Sequence, residues 1–194
     1  MRGAKTKKRF YAGMAAVLLC VALGGCGSKA SDEARGVTES VEENDHGDYI
    51  YRKEFGTYTV LDGWEESKTH STEDKYFYIK EGHDEDAQPD NVSVNVGTNR
   101  YAQDEVMEFK DAIVAQMMAQ IGGQSVEFNG TGTYTAAEDP LIIIEVVEED
   151  GTVTRQYYVV GDHRYCLIHL TNYDDDEEAY ELARIMADSF VWRD

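Results

Sequence analysis

Three cysteines, five histidines and 38 acidic residues are the groups with which this 194-residue chain could do chemistry. A thiolate attacks or takes an acyl group, an imidazole moves protons or binds metal, and carboxylates hold hard cations. Spacing decides among these uses. Asp84, Asp86, Gln88 and Asp90 alternate as oxygen ligands do in a calcium loop. The sixth position, however, is Pro89 where the sharp turn needs Gly, and the twelfth is Asn95 where a bidentate Glu belongs. The stretch reads as a solvated acidic loop, with irregular calcium binding as the alternative. The acidic run Asp174 to Glu178 reads the same way. His46, His70, His83, His163 and His169 contain no HExxH pair, so zinc has little support. His169 lies on the opposite strand parity from Cys166, Ile168 and Leu170. His70 and Ser71 are only sequence neighbours, and there is no GxSxG elbow, SxxK, GxxxxGK[ST] or GxGxxG. The sequence therefore names no catalytic residue, no cofactor and no metal ligand.

The cysteines separate by context. Cys20 lies within an apolar run, and Cys166 lies in Tyr165-Cys166-Leu167-Ile168, where a small buried hydrophobe is expected. Cys26 differs. Residues 1–9 are basic, residues 10–25 are uncharged, and Leu23, Gly24 and Gly25 stand directly before Cys26. Sixteen residues are short for a spanning helix and suit the core of a signal peptide. The segment Leu23-Gly24-Gly25-Cys26 resembles the lipobox of bacterial lipoproteins. That resemblance implies lipid attachment at Cys26, cleavage before it, and a chain anchored at the outer face of the cytoplasmic membrane or in an outer membrane.

Charge narrows the partners. Five of the 18 basic residues (Arg2, Lys5, Lys7, Lys8, Arg9) and no acid precede Cys26, which leaves 13 bases against 38 acids, or −25. Such a chain lacks the clustered Lys and Arg that nucleic acid or anionic lipid requires, so nucleic acid is excluded as a partner. Membrane contact then falls to the lipid, and the expected partner of the folded part is a protein of the envelope. Residues 26–48 read as the lipidated cysteine and a flexible acidic tether, because they bury too little apolar surface to offset ordering.

A domain over residues 49–194 follows. Tyr49–Tyr51, Thr57–Leu61 and Lys75–Lys80 read as strands, and Val92, Val94 and Val96 alternate with Ser93 and Asn95 in a strand with one more polar face. Val106, Phe109, Ile113, Met117 and Ile121 recur at helical spacing over 103–121, before Gly122-Gly123. Ser125–Phe128 and Thr131–Ala136 regain β character, with Gly130 and Gly132 read as bends or bulges. Leu141–Val147 is nearly continuous apolar, as in a strand covered on both faces. Glu149–Thr152 predicts a hairpin into Val153–Val160, and Gly161-Asp162 a second into Tyr165–Thr171. A last amphipathic helix spans 176–190, its acidic start favoured by the helix dipole. The many strand tyrosines read as cross-strand packing, with an exposed aromatic binding face as the alternative.

Phe55-Gly56-Thr57-Tyr58-Thr59-Val60 before Gly63-Trp64, the alternation Asn91 to Val96, and the terminal Ser189-Phe190 resemble the PsbP-like family. Asp62 stands where that family often has Pro before the Gly-Trp pair. The resemblance implies an α/β/α sandwich used for docking, with no shared catalytic residues. The expected fold class is α+β: an antiparallel sheet of about six or seven strands flanked by two amphipathic helices. The favoured function is a non-enzymatic binding or accessory module of the cell envelope. A hydrolase or other enzyme with an unrecognised site is the second reading, and calcium-dependent binding the third.

Overall fold

The structure, a computed structural model, describes residues 40–121, 127–147, 153–173 and 175–193. The segment read as a leader ending at Leu23–Cys26, the stretch read as a tether up to residue 39, Gly122-Gly123, Ser125-Val126 and the hairpin turn expected at Glu149–Thr152 lie outside the described residues.

Seven strands form one antiparallel sheet: β4 (Trp64–Glu66), β5 (Lys75–Lys80), β6 (Asn91–Thr98), β10 (Arg164–Thr171), β9 (Val153–Gly161), β8 (Pro140–Val147) and β7 (Glu127–Tyr134), in that spatial order. A smaller sheet has the order β1 (Ser40–Glu43), β2 (Tyr49–Lys53), β3 (Gly56–Val60) and β11 (Val191–Trp192). Two helices, α1 (Val106–Ile121) and α2 (Glu177–Asp188), complete the domain. The expected α+β class with an antiparallel sheet and two helices is therefore present. The second sheet and the short β4 and β11 were not anticipated, because strands of two or three residues carry no readable period.

Strand alternation puts a core on each face of the large sheet. On one face Phe109, Ile113 and Met117 of α1 cover Ile142, Ile144, Tyr158, Val160, Tyr165 and Leu167. On the other, Leu182, Ala183 and Met186 of α2 pack with Tyr157, Val159, Cys166, Ile168 and Leu170. The small sheet joins that second core through Tyr58 and Val60. Leu141 to Val147 thus serves both cores, which accounts for its near-continuous apolar character.

Part of the stretch read as tether is a strand. Residues 40–43 pair with Tyr49–Arg52, placing Val41 opposite Tyr51. Asn44 makes the turn: its Oδ1 accepts from the backbone N–H groups of His46 and Asp48, while Gly47 adopts φ 88°. An Asn side chain that bonds the backbone ahead of it favours such turns, and ladder bonds stabilise these four residues although three of them are exposed. The reading of β7 is also corrected. Gly130 and Gly132 sit within one continuous strand rather than bending it.

α2 begins where Asp176 accepts a bond from the Glu178 N–H at 2.9 Å. It ends at Ser189, whose Oγ donates to the Ile185 carbonyl and accepts from the Thr59 N–H, tying the helix to β3. Gly56 is required at β3's start: a Cβ there would lie 2.7 Å from the Val191 carbonyl oxygen and 2.8 Å from the Phe190 ring. Among the described residues no helix is long and apolar enough to cross a membrane.

Candidate functional site

The face that carries α1 is only partly covered by it. Strand register aligns two rows across this face: Phe77, Ser93, His169 and Gln156, then Lys75, Asn95, Leu167 and Tyr158. The helix packs over the end toward β8, reaching Tyr158 and Leu167. Toward β5 the rows open into a groove of about 730 Å³. His169, Gln156, Asn95 and Leu167 supply sheet residues to its lining. Phe55 of the β2–β3 turn and Phe77 supply aromatic walls, and Lys75 brings an ammonium. Glu54, Glu73 and Asp74, all exposed, form its acidic rim.

Three groups define the groove's chemistry. His169 is 8% exposed, and its Nε2 is buried without a hydrogen-bond partner among the described residues. Burial pulls its pKa down to about 4 and the Lys75 ammonium adds to the shift, so the imidazole is neutral at pH 7. Lys75 Nζ lies 4.5 Å from the Phe77 ring centroid. Gln156 is buried, and its Oε1 accepts from the Tyr158 hydroxyl at 2.6 Å. That bond fixes the amide so that its NH₂ is the group left for other contacts.

The other residues singled out from sequence lie elsewhere. Asp84 accepts from Ser67 Oγ, Thr69 Oγ1 and the Thr69 N–H, which hold its carboxyl below the usual range. Asp86 pairs with His83 at 2.7 Å, and Asp90 accepts from the Tyr173 N–H. The acidic loop thus directs these three carboxylates to three different partners. In the second acidic run, Asp176 and Glu178 both bind Lys80, at 2.6 and 2.8 Å, and Asp176 also caps α2. Asp174 lies outside the described residues. His70 stacks obliquely on Phe77 with ring centroids 6.4 Å apart, whereas Ser71 Oγ accepts from the Phe77 N–H. His46 and His163 are exposed in turns, His163 at φ 54°. Cys166 is fully buried, and burial pushes its thiol pKa well above the ordinary value.

Tyr58, Tyr78, Tyr157 and Tyr158 are core residues, and the Tyr58 and Tyr78 hydroxyls share a 2.7 Å bond. Tyr134 is the exposed exception on β7. Sequence reading noted the polar parity of β6 and of His169 but not their convergence. Lys75 and Gln156 went unremarked, because neither is unusual until the register brings them together.

These features define an α+β domain with an antiparallel sheet, a helix on each face, and an open groove with a polar floor. No family model matches the chain. No curated protein matches it either. Among solved structures it is similar to the solution structure of cyanobacterial PsbP (CyanoP) from Synechocystis sp. PCC 6803, at 14% sequence identity and a TM-score of 0.45, over 88% of this chain and 99% of that one.

Proposed function

We propose that the chain is an exported bacterial lipoprotein held at the membrane by lipid on Cys26, and that its domain is a non-enzymatic binding or accessory module of the cell envelope. Leu23-Gly24-Gly25-Cys26 behind a basic and then an uncharged stretch supports the anchor. The observation that carries the binding reading is the groove at the start of β5, where a buried polar atom, His169 Nε2, has no hydrogen-bond partner among the described residues. Buried polar groups are normally hydrogen-bonded, and one left open beside a cavity marks a place for a ligand group. The partner meets a surface of high negative charge, which favours cationic or zwitterionic chemistry.

Two experiments test this. Replacing Cys26→Ser should leave the domain folded but move it from the membrane to the soluble exported fraction; persistence of the variant in the membrane defeats the anchor. A photo-crosslinker at Phe77, on the groove wall, should capture a defined partner in intact cells, while the same probe at Tyr134 on the far edge should not. Equal capture from both positions, or none from Phe77, defeats binding at the groove.

A hydrolytic reading is second. It rests on the neutral imidazole of His169 beside Ser93, its opposite residue in the β6–β10 ladder. A screen of ester and peptide substrates in which activity vanishes in both Ser93→Ala and His169→Gln would replace the binding reading with this one.

A further inference from the structure

Strand register gathers uncharged polar groups along one side of the groove. Gln156 lies opposite His169 in the β9–β10 ladder, and Asn95 lies opposite Leu167 in the β6–β10 ladder, two residues along from His169. Directly opposite residues have Cβ atoms about 5 Å apart, so these side chains form one patch. Gln156 and His169 are buried, whereas Asn95, Phe55 and Phe77 are half-buried and line the groove. Lys75 is not an open anion site, because it is engaged within the protein, with its Nζ 4.5 Å from the Phe77 ring centroid.

The hydrogen-bonding groups of the lining are of mixed kind. The Asn95 amide both donates and accepts. The Gln156 NH₂ donates, its Oε1 being occupied by the Tyr158 hydroxyl. The carboxylates of Glu54, Glu73 and Asp74 accept. An anion would satisfy only the donors, and a simple cation only the acceptors. A hydroxyl group serves both from one atom. The rings of Phe55 and Phe77 add an apolar wall of the kind on which the C–H face of a sugar ring packs. The volume of about 730 Å³ falls in the range of small-molecule sites, roughly 300–1,000 Å³.

An extended peptide fits less well, because adding a strand needs free backbone groups at a sheet edge. On the outer edge of β5 those groups are taken. The Phe77 carbonyl accepts from the Ser67 N–H at 2.7 Å, the Phe77 N–H donates to Ser71 Oγ at 3.0 Å, and the Lys75 carbonyl accepts from the Thr72 N–H at 2.8 Å.

We infer that the groove binds a saccharide ring, neutral or bearing an amino group, with its hydroxyls at the Asn95 amide and the lining carboxylates and its apolar face on Phe55 and Phe77. This deepens the binding reading above and rests on it. The three carboxylates and the acidic net charge select against acidic sugars.

The test uses the whole nitrogen-15-labelled chain in dodecylphosphocholine, a detergent without a sugar headgroup. The probes are N-acetylglucosamine, glucosamine, glucuronate, cyclohexylammonium and a capped tetra-alanine peptide. At millimolar concentration one or both of the first two should shift the Asn95 side-chain amide and His169 ring resonances. Glucuronate and cyclohexylammonium should bind at least about tenfold more weakly. Asn95→Leu should weaken the bound sugar about tenfold with the melting temperature retained. The proposal is overturned if neither sugar shifts Asn95, if glucuronate or cyclohexylammonium binds as tightly, or if the peptide shifts these resonances and the sugars do not. The wild-type comparison stands even if the variant misfolds. Failure of both sugars with crosslinking at Phe77 intact would remove the saccharide and keep the binding module.

Discussion

His169 is held neutral in the native fold because the sheet removes it from water and places a lysine nearby. In the unfolded chain it titrates at its ordinary value of 6.5. Between pH 6.5 and about 4 the unfolded state therefore takes up a proton that the native state refuses. Stability is unaffected above that window and falls as pH drops through it, by up to about 3 kcal/mol from this one group. His169→Gln should flatten that part of the pH profile of denaturant midpoints; an unchanged slope would show that the ring is not buried neutral. Asp84 and Asp176 have depressed carboxyl pKa values, so their contribution is lost only at lower pH, beneath the ordinary value of 3.8. The two effects separate by window. The parity of His169 against Cys166, Ile168 and Leu170 was legible in the sequence. Its loneliness as a polar atom was not, because that depends on what β6 and β9 place beside it.

The helices were legible almost to the residue, since apolar spacing of three and four over several turns has one interpretation. Their caps were less so. Asp176 was seen as one of several acids, and only the structure singles it out by its bond to the Glu178 N–H and its ion pair with Lys80. Asp176→Ala should cost about 1–2 kcal/mol in thermal or chemical unfolding, the usual loss for an N-cap. Lys80→Met should cost less, since the pair is partly solvent-exposed. The short strands resisted reading for the opposite reason. β1, β4 and β11 exist because neighbours complete their ladders, not because two to four residues show alternation. Gly56→Ala tests one such dependence. The added methyl would strike the Val191 carbonyl and the Phe190 ring, so we expect β11 to be displaced and about 1–3 kcal/mol of stability lost. Hydrogen exchange at Val191 and Trp192 would report the displacement.

At the scale of the molecule, two cores share one sheet, and Phe190 joins one of those cores to the small sheet. It is fully buried, stacks on Tyr58 and Phe55, and meets Trp192 edge-on at 4.9 Å. Lys53 of β2, itself buried, bonds Glu66 of β4 at 2.9 Å across the same junction. Phe190→Ala should cost about 3–5 kcal/mol and lower the melting temperature by more than any loop substitution. If it unfolds only the small sheet, the two sheets are separate cooperative units.

The residues quoted from Phe55 to Trp64 and at Ser189-Phe190 meet here, although more than a hundred positions separate them in the chain. By itself the sequence determined what local physics controls. It specified a basic, then apolar, then small-residue segment ending at Cys26, an acidic net charge, two periodic helices, and strands long enough to alternate. Tertiary structure alone decided the second sheet, the ordered turn at Asn44 and the groove. Each of these depends on strand register and on which part of a face a helix leaves uncovered, and neither is encoded at any single position. Lys75, Asn95, Gln156 and His169 are ordinary strand residues until the order β5-β6-β10-β9 sets them on one surface.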